Sequence, residues 1–377
     1  MKYMSSAVVD LGQLQANYKR ICELSSPSRV IAVVKADAYG HGAIECAKAL
    51  FEAGARYFAV ANIAEAIEIK PYIGESGLLI LGASSPDDVC ELIENGISQT
   101  VYSLDYAKAL SQKVPIGKKL FCHLKLDTGM NRLGFDALYK ENVSSDSLDR
   151  IVEACSIENL DFEGVFTHFA QSDTPASGMT DMQFERFSLT LDELAKKGIT
   201  FAIRHASNSA AIYNYKKTHL DMVRAGIVLY GFDPSPDTAA VGCKPIMTLR
   251  TTVTHVHTLK KGEGVGYGST FVADRDMKIA TLSIGYADGF VRAYSGVNSL
   301  SGEIGSVYIN GKEAPVVGRI CMDQCTVCVD GIDVSAGDEA IVFDDVHTAD
   351  RLARAANTIN YEVTSILTRR VKKIYKK

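Results

Sequence analysis

Lys35 closes the apolar run Val30-Ile31-Ala32-Val33-Val34 and is followed at once by Ala36-Asp37-Ala38-Tyr39-Gly40-His41-Gly42. A buried strand that ends in lysine places an amine in a low-dielectric site. There its pKa falls, and it can act as nucleophile toward an aldehyde and as base near neutrality. A tyrosine and a flexible glycine pair beside it suit Schiff-base chemistry. Taken alone, a strand-terminal lysine more often lays its stem on apolar surface and carries its charge to water, so the wider pattern has to decide.

Three other groupings could do chemistry. Lys261-Gly262-Glu263-Gly264-Val265-Gly266-Tyr267-Gly268 has the glycine density of a phosphate loop but lacks the strand, helix and closing Lys-Ser/Thr. Its glycines are expected instead to let the backbone carry Tyr267 into a crowded site. His255 and His257 should share one side of a strand, yet with no carboxylate or cysteine beside them a surface or core role is expected rather than a metal. Cys321, Cys325 and Cys328 lack a nearby fourth ligand, and a three-residue step along a strand sends side chains to opposite faces, so no metal is expected there either.

The elements that must position these residues come next. Eight apolar, β-rich runs occupy the first part: Val30 to Val34, Tyr57 to Ala61, Leu78 to Leu81, Gln99 to Tyr102, Leu120 to Leu126, Glu163 to Thr167, Phe201 to His205 and Asp221 to Val223. Helix-like stretches such as Ala43 to Ala53, Asp87 to Glu94 and Met182 to Lys197 lie between them. Near-continuous apolar strands alternating with helices read as a parallel sheet covered on both faces, and eight such units predict a closed (β/α)8 TIM-type barrel. A doubly wound open sheet would carry a Gly-rich turn after its first strand; here that strand ends in lysine. Residues Asp233 to Pro245, with prolines at 234, 236 and 245, read as a linker. Beyond it, alternation in Thr252 to His257 and an Asn310-Gly311 turn signal a mainly-β domain. The expected division is 1–240 and 241–377, with the first few residues able to join the second domain.

At 377 residues the chain is long enough for two cores, and 47% hydrophobic and 23% charged residues describe a globular enzyme. A net charge of -5 argues against nucleic acid. Met1 to Ser6 has no apolar core of signal-peptide length, and no stretch reaches the roughly 18 apolar residues of a membrane span. Nine scattered cysteines fit a reducing compartment, so a cytoplasmic protein with no membrane partner is expected. The basic run Arg369 to Lys377 is expected to be a solvated tail or a helix C-terminus.

The segment Val33-Val34-Lys35-Ala36-Asp37-Ala38-Tyr39-Gly40-His41-Gly42 resembles the cofactor-lysine motif of the alanine racemases, pyridoxal-phosphate enzymes with a barrel plus a β-domain. The resemblance runs on in the family's order through Asp127 to Gly134, Thr167 to Ala170, Asn208 to Ala211, Arg224 to Ile227, Gly266 to Gly268, Ile284 to Gly289, Gly318 to Gln324 and Tyr361 to Val363. It implies pyridoxal 5'-phosphate held on Lys35, with Lys35 and Tyr267 as the two opposed bases that invert alanine. It also implies a homodimer in which Tyr267 reaches the partner's site. Tyr39, Ser209, Tyr361 and the backbone of Gly226 and Ile227 would hold the phosphate, beside Asn208. Arg224 would face the ring nitrogen, and His168 and Arg224 would favour ionisation of Tyr267. Arg132 and Met322 would meet the substrate carboxylate, Tyr286 and Asp323 would line the mouth, and Lys125 matches a lysine carbamylated in many relatives. The implied role is D-alanine supply for peptidoglycan. The alternatives are a serine or broad-specificity racemase, a non-catalytic pyridoxal-phosphate-binding protein, and a Schiff-base aldolase or decarboxylase.

Overall fold

The computed structural model describes residues 4–139, 145–234, 242–296 and 299–377. The middle of the expected linker, 235–241, and with it the expected boundary at 240, lies outside the described residues. The chain divides into two compact units. One comprises Leu14–Ala38 and Ala43–Cys243; the other comprises Met1–Gln13, Tyr39–Gly42 and Lys244–Lys377.

The first unit is a barrel. Its strands are Arg29–Val33, Tyr57–Val60, Gly77–Ile80, Ser98–Val101, Leu120–Asp127, Leu160–Phe166, Ile203–His205 and Met222–Ala225, paired in parallel in sequence order. The last strand closes on the first, with Val223 opposite Val30 and Arg224 opposite Ile31. Each expected run has become a strand, with ends moved by a few residues to where a neighbour offers backbone to pair. The sixth starts early because Leu160 pairs with Leu120, and the seventh is short because only Ile203 to His205 pair with the sixth and only His205 meets Met222. Residues such as Phe58, Leu79, Ile80 and Leu124 are fully buried, as a barrel packed inside and outside requires. Helices Ala43–Glu52, Val89–Glu94 and Met179–Lys196 stand where helical periodicity places them.

The second unit is built on the 13-residue strand Met247–Leu259, whose buried and half-buried residues alternate over its first half. It pairs antiparallel with Glu339–Phe343, Ser6–Asp10 and Met277–Leu282, while Cys325–Cys328 extends the sheet beyond Met277–Leu282. The hairpin expected at Asn310-Gly311 joins Ser306–Ile309 to Lys312–Pro315, with both turn residues at positive φ, 51° and 75°. His255 and His257 do share a side, their rings stacked 4.9 Å apart. The basic C-terminus is neither a solvated tail nor a helix end. Lys372–Lys376 is a strand paired in parallel with Ser6–Asp10, with Lys372 and Lys376 exposed and Lys373 half-buried on the opposite face. The open edge of Ser6–Asp10 offers backbone bonds that outweigh the cost of placing like charges in one strand. Among the described residues, no helix is long and apolar enough to cross a membrane.

Candidate active site

The strand Arg29–Val33 delivers Lys35 half-buried at the barrel's C-terminal rim. Burial lowers the amine's pKa, Arg132 and Arg224 lower it further, and Glu65 opposes them. The backbone that follows is unusual: Ala36, Asp37, Ala38 and Tyr39 are all left-handed, with φ of 52° to 54°. Each non-glycine residue there costs roughly 1–2 kcal/mol, so the turn persists only because the surroundings fix it. Glu65 accepts from the N–H of Ala36 at 2.9 Å and of Ala61 at 2.7 Å, and Asp37 accepts from Ala43 N–H at 2.7 Å.

Arg224, on the eighth strand, is buried, and its terminal nitrogens are committed inside the barrel. One donates to His205 Nδ1 at 2.9 Å and His205 O at 3.0 Å. The other donates to Thr167 O at 2.7 Å and Ala206 O at 2.8 Å, with His168 Nδ1 at 3.3 Å. Burial and the charge of Arg132 push the guanidinium down to about 9, which leaves it cationic at neutral pH. Among the described residues it forms no ion pair. His168 is held far below its ordinary value by burial and by four cations, Arg224, Arg132, Lys125 and Lys35. The charge expected from His168 and Arg224 together therefore resides on Arg224.

Lys125 is buried, donates to Leu126 O at 2.8 Å and lies 5.3 Å from the Phe166 ring, whose centroid is 5.4 Å from the Arg224 guanidinium carbon. Burial, then Arg224, pushes its amine down to about 7. Arg132 is exposed on a turn built by Asp127, whose carboxylate accepts from the N–H groups of Gly129, Met130 and Asn131 at 2.8 to 3.1 Å and of Arg132 at 3.1 Å. Asn208 caps the helix Ser209–Asn214 by accepting from Ala211 N–H, and Ser209 Oγ accepts from Gly226 N–H at 3.0 Å. Ile227 opens the 3-10 turn that follows the eighth strand. Lys35, Lys125, Arg132, His168, Asn208, Ser209, Arg224, Gly226 and Ile227 thus all follow or close barrel strands at one rim.

The remaining candidates belong to the β unit. Tyr39 and Tyr361 have ring centroids 6.0 Å apart, and burial followed by Tyr361 raises the Tyr39 phenol. Gly40 is required beside them, since a Cβ would lie 2.0 Å from Thr364 O. Tyr267 is 72% exposed on a short turn between Gly266 and Gly268, both at positive φ. Tyr286 and Met322 are exposed on loops laced together by Tyr286 N–H to Cys321 O and Ala287 N–H to Met322 O. Asp323 and the buried Asp288 are both tied to Arg370, at 2.8 and 3.0 Å.

Sequence reasoning missed the supporting residues. Asp127, two residues before a glycine, has the spacing of a side-chain-capped turn and could have been found. Glu65, Gln183 and His205 leave no local signal. Gln183 is buried and bonds Thr128, His168 O and Ala170 N–H from a helix far along the chain.

A cofactor with an aldehyde and a phosphate fits this donor set. The rim combines an amine of lowered pKa, a buried guanidinium that has no carboxylate partner among the described residues, and backbone N–H groups at a turn start. The site carries surplus positive charge that a bound anion would balance.

Comparison with known proteins is consistent over the whole chain. The family profile "Alanine racemase, N-terminal domain" matches residues 9–234, and "Alanine racemase, C-terminal domain" matches residues 246–375. The alanine racemase of Methanococcus maripaludis is 41% identical over 98% of both chains. A solved alanine racemase from Clostridium difficile 630 superposes with a TM-score of 0.89 at 38% identity, covering 100% of this chain and 96% of that one. The same protein in complex with cycloserine gives 0.87 at 36% identity with the same coverage.

Proposed function

The chain belongs to the alanine racemase family, and on that footing we propose that it interconverts L- and D-alanine with pyridoxal 5'-phosphate in a homodimer with shared active sites. The observation that carries the reading is the half-buried Lys35 at a rim where Arg224 is buried and, among the described residues, forms no ion pair; burial, Arg132 and Arg224 all lower the lysine amine. When bound, the cofactor supplies an electron sink that makes the substrate Cα proton removable.

The chain's own residues do the rest. Lys35 anchors the aldehyde and, because its amine is lowered, its Nζ can take and return a proton on one face. Tyr267 Oη is the opposed acid and base, and Arg224 supplies the positive charge that favours its ionisation. A guanidinium only donates, so Arg224 would hydrogen-bond the ring nitrogen without protonating it. Ser209, Gly226, Ile227, Tyr39 and Tyr361 would hold the phosphate, with Asn208 fixing the helix start. Arg132 and Met322 receive the substrate carboxylate; Tyr286 and Asp323 line the mouth. Lys125, its amine lowered to about 7 and so about half neutral at pH 7, is poised to take up carbon dioxide and brace Arg132.

The high exposure of Tyr267 supports the shared site, because a proton-transferring phenol has to be enclosed. The proposed division places the cofactor in the barrel and the second base on the β unit, with residues 1–13 joining the latter. Cytoplasmic D-alanine supply for peptidoglycan belongs to the same proposal, the compartment being supported by nine cysteines that form no disulfide. The match of the β unit weighs against a non-catalytic binding protein, and the bulk of Tyr361 favours alanine over serine.

The test is incubation of purified protein and cofactor with L-alanine in deuterated water. D-alanine carrying deuterium at Cα is expected. Faster inversion of serine would make it a broad racemase, and no inversion of either amino acid would overturn the reading.

A further inference from the structure

A hydrogen-bonded chain runs across the barrel interior, away from the rim. His205, bonded to Arg224 through Nδ1, meets His123 Nδ1 through its Nε2 at 2.9 Å. His123 Nε2 meets Tyr57 Oη at 2.8 Å and Glu163 Oε1 at 3.4 Å. Tyr57 donates to Glu163 Oε1 at 3.4 Å, and Ser98 donates to the same oxygen. His123 and His205 are fully buried.

The chain can point only one way. Arg224 is donor-only, so His205 accepts on Nδ1 and carries its proton on Nε2. His123 must then accept on Nδ1 and donate from Nε2, toward Tyr57 and Glu163. An ionised carboxylate is acceptor-only, so the far end agrees with the near end. Burial lowers the pKa of both imidazoles, which keeps them neutral, while hydrogen bonds from His123 and Ser98 overcome burial to hold Glu163 ionised. The barrel is shaped around this arrangement. A Cβ on Gly164 would lie 2.4 Å from the His123 ring, and one on Gly77 would lie 2.4 Å from the Tyr57 ring.

We propose that Glu163 is a positioning residue for Arg224, the terminal acceptor of a one-way chain through His205, His123 and Tyr57. Among the described residues Arg224 forms no ion pair. Glu163 ends the chain without bonding the guanidinium, so its carboxylate does not compete at the rim. A single tautomer of each imidazole keeps the guanidinium from rotating.

The catalytic consequence rests on the racemase reading; the tautomers do not. Two measurements on the full-length protein separate them. Side-chain ¹⁵N spectra should show both imidazoles neutral with the proton on Nε2, and Glu163→Gln and Tyr57→Phe should each shift the His205 resonances although neither residue touches His205. In alanine turnover, Glu163→Gln should lower kcat roughly tenfold, about 1.4 kcal/mol, with little change in KM. In a His205→Ala background, which breaks the chain midway, the same change should cost under about twofold. Tyr57→Phe repeats the cycle if His205→Ala does not fold. Nδ1-protonated or charged imidazoles, unmoved His205 resonances, or additive kinetic losses would each overturn the proposal. Correct tautomers in a protein that does not racemise would leave the chain standing and remove only the activity.

Discussion

The barrel rim and the β unit supply their candidate residues in opposite states. At the rim, Arg224 is buried and multiply hydrogen-bonded, Lys125 is buried, and Lys35 leads into a left-handed turn pinned by two carboxylates. On the β unit, Tyr267, Met322 and Tyr286 are 72%, 53% and 40% exposed. The buried rim residues are fixed by bonds within their own unit, whereas the candidates Tyr267, Met322 and Tyr286 of the β unit stand exposed. Preorganised charge resides where low dielectric makes it strong, and on the proposed reading the exposed Tyr267 is left for the partner chain's surface to enclose.

Breaking the rim should do the most damage. Lys35→Ala removes the anchor and one base together, so turnover should fall by about 10⁴-fold or more. The visible absorbance that borohydride bleaches should disappear with it. A retained bleachable band would place the anchor elsewhere.

On the exposed side, Tyr267→Phe should keep the chromophore and lose about 10² to 10⁴ in turnover. Proton exchange should fall chiefly from L-alanine, since only one face has lost its base. Equal exchange from both enantiomers would point to another group.

The two sides can also be recombined. Inactive Lys35→Ala and Tyr267→Phe chains, dissociated and reassociated together, should form half mixed dimers with half of their sites intact. Activity should then return to about a quarter of wild type. No recovery, with mixed dimers confirmed by mass, would mean that each tyrosine serves its own chain.

Asp127 tests whether the rim turn is as fixed as its bonds suggest. Burial pushes its carboxyl up, but the backbone N–H groups of Gly129, Asn131 and Arg132 outweigh that and hold it below the ordinary range. Its stabilising contribution is therefore complete above the unfolded value of about 4 and is lost as pH falls through the lower folded value. Asp127→Asn should flatten the dependence of Tm on pH below about 4 and raise KM for alanine roughly tenfold through Arg132. Unchanged KM would detach the turn from substrate binding.

The smallest effect is expected at Tyr361. Tyr361→Asn should shift the serine-to-alanine ratio of kcat/KM by no more than about tenfold, because a hydroxymethyl and a methyl differ little to an apolar pocket. An unchanged ratio would remove Tyr361 from substrate selection.

The amino-acid sequence alone was enough for the eight barrel strands, their order, the strand that leads into Lys35 and the hairpin at Asn310-Gly311. All of these follow from local periodicity and turn chemistry within a few residues. Tertiary structure decided what depends on partners far along the chain. Lys372–Lys376 became a strand because Ser6–Asp10 had an edge to pair. Ala36 to Tyr39 took a left-handed path, against the preference of every residue in it, because Glu65 and Asp37 hold it there. Arg224, His205, His123 and Glu163 stand on the eighth, seventh, fifth and sixth strands, so barrel closure alone made a chain of them. A buried charge is tolerable only with such partners, and closure is a long-range event that no local window of sequence records.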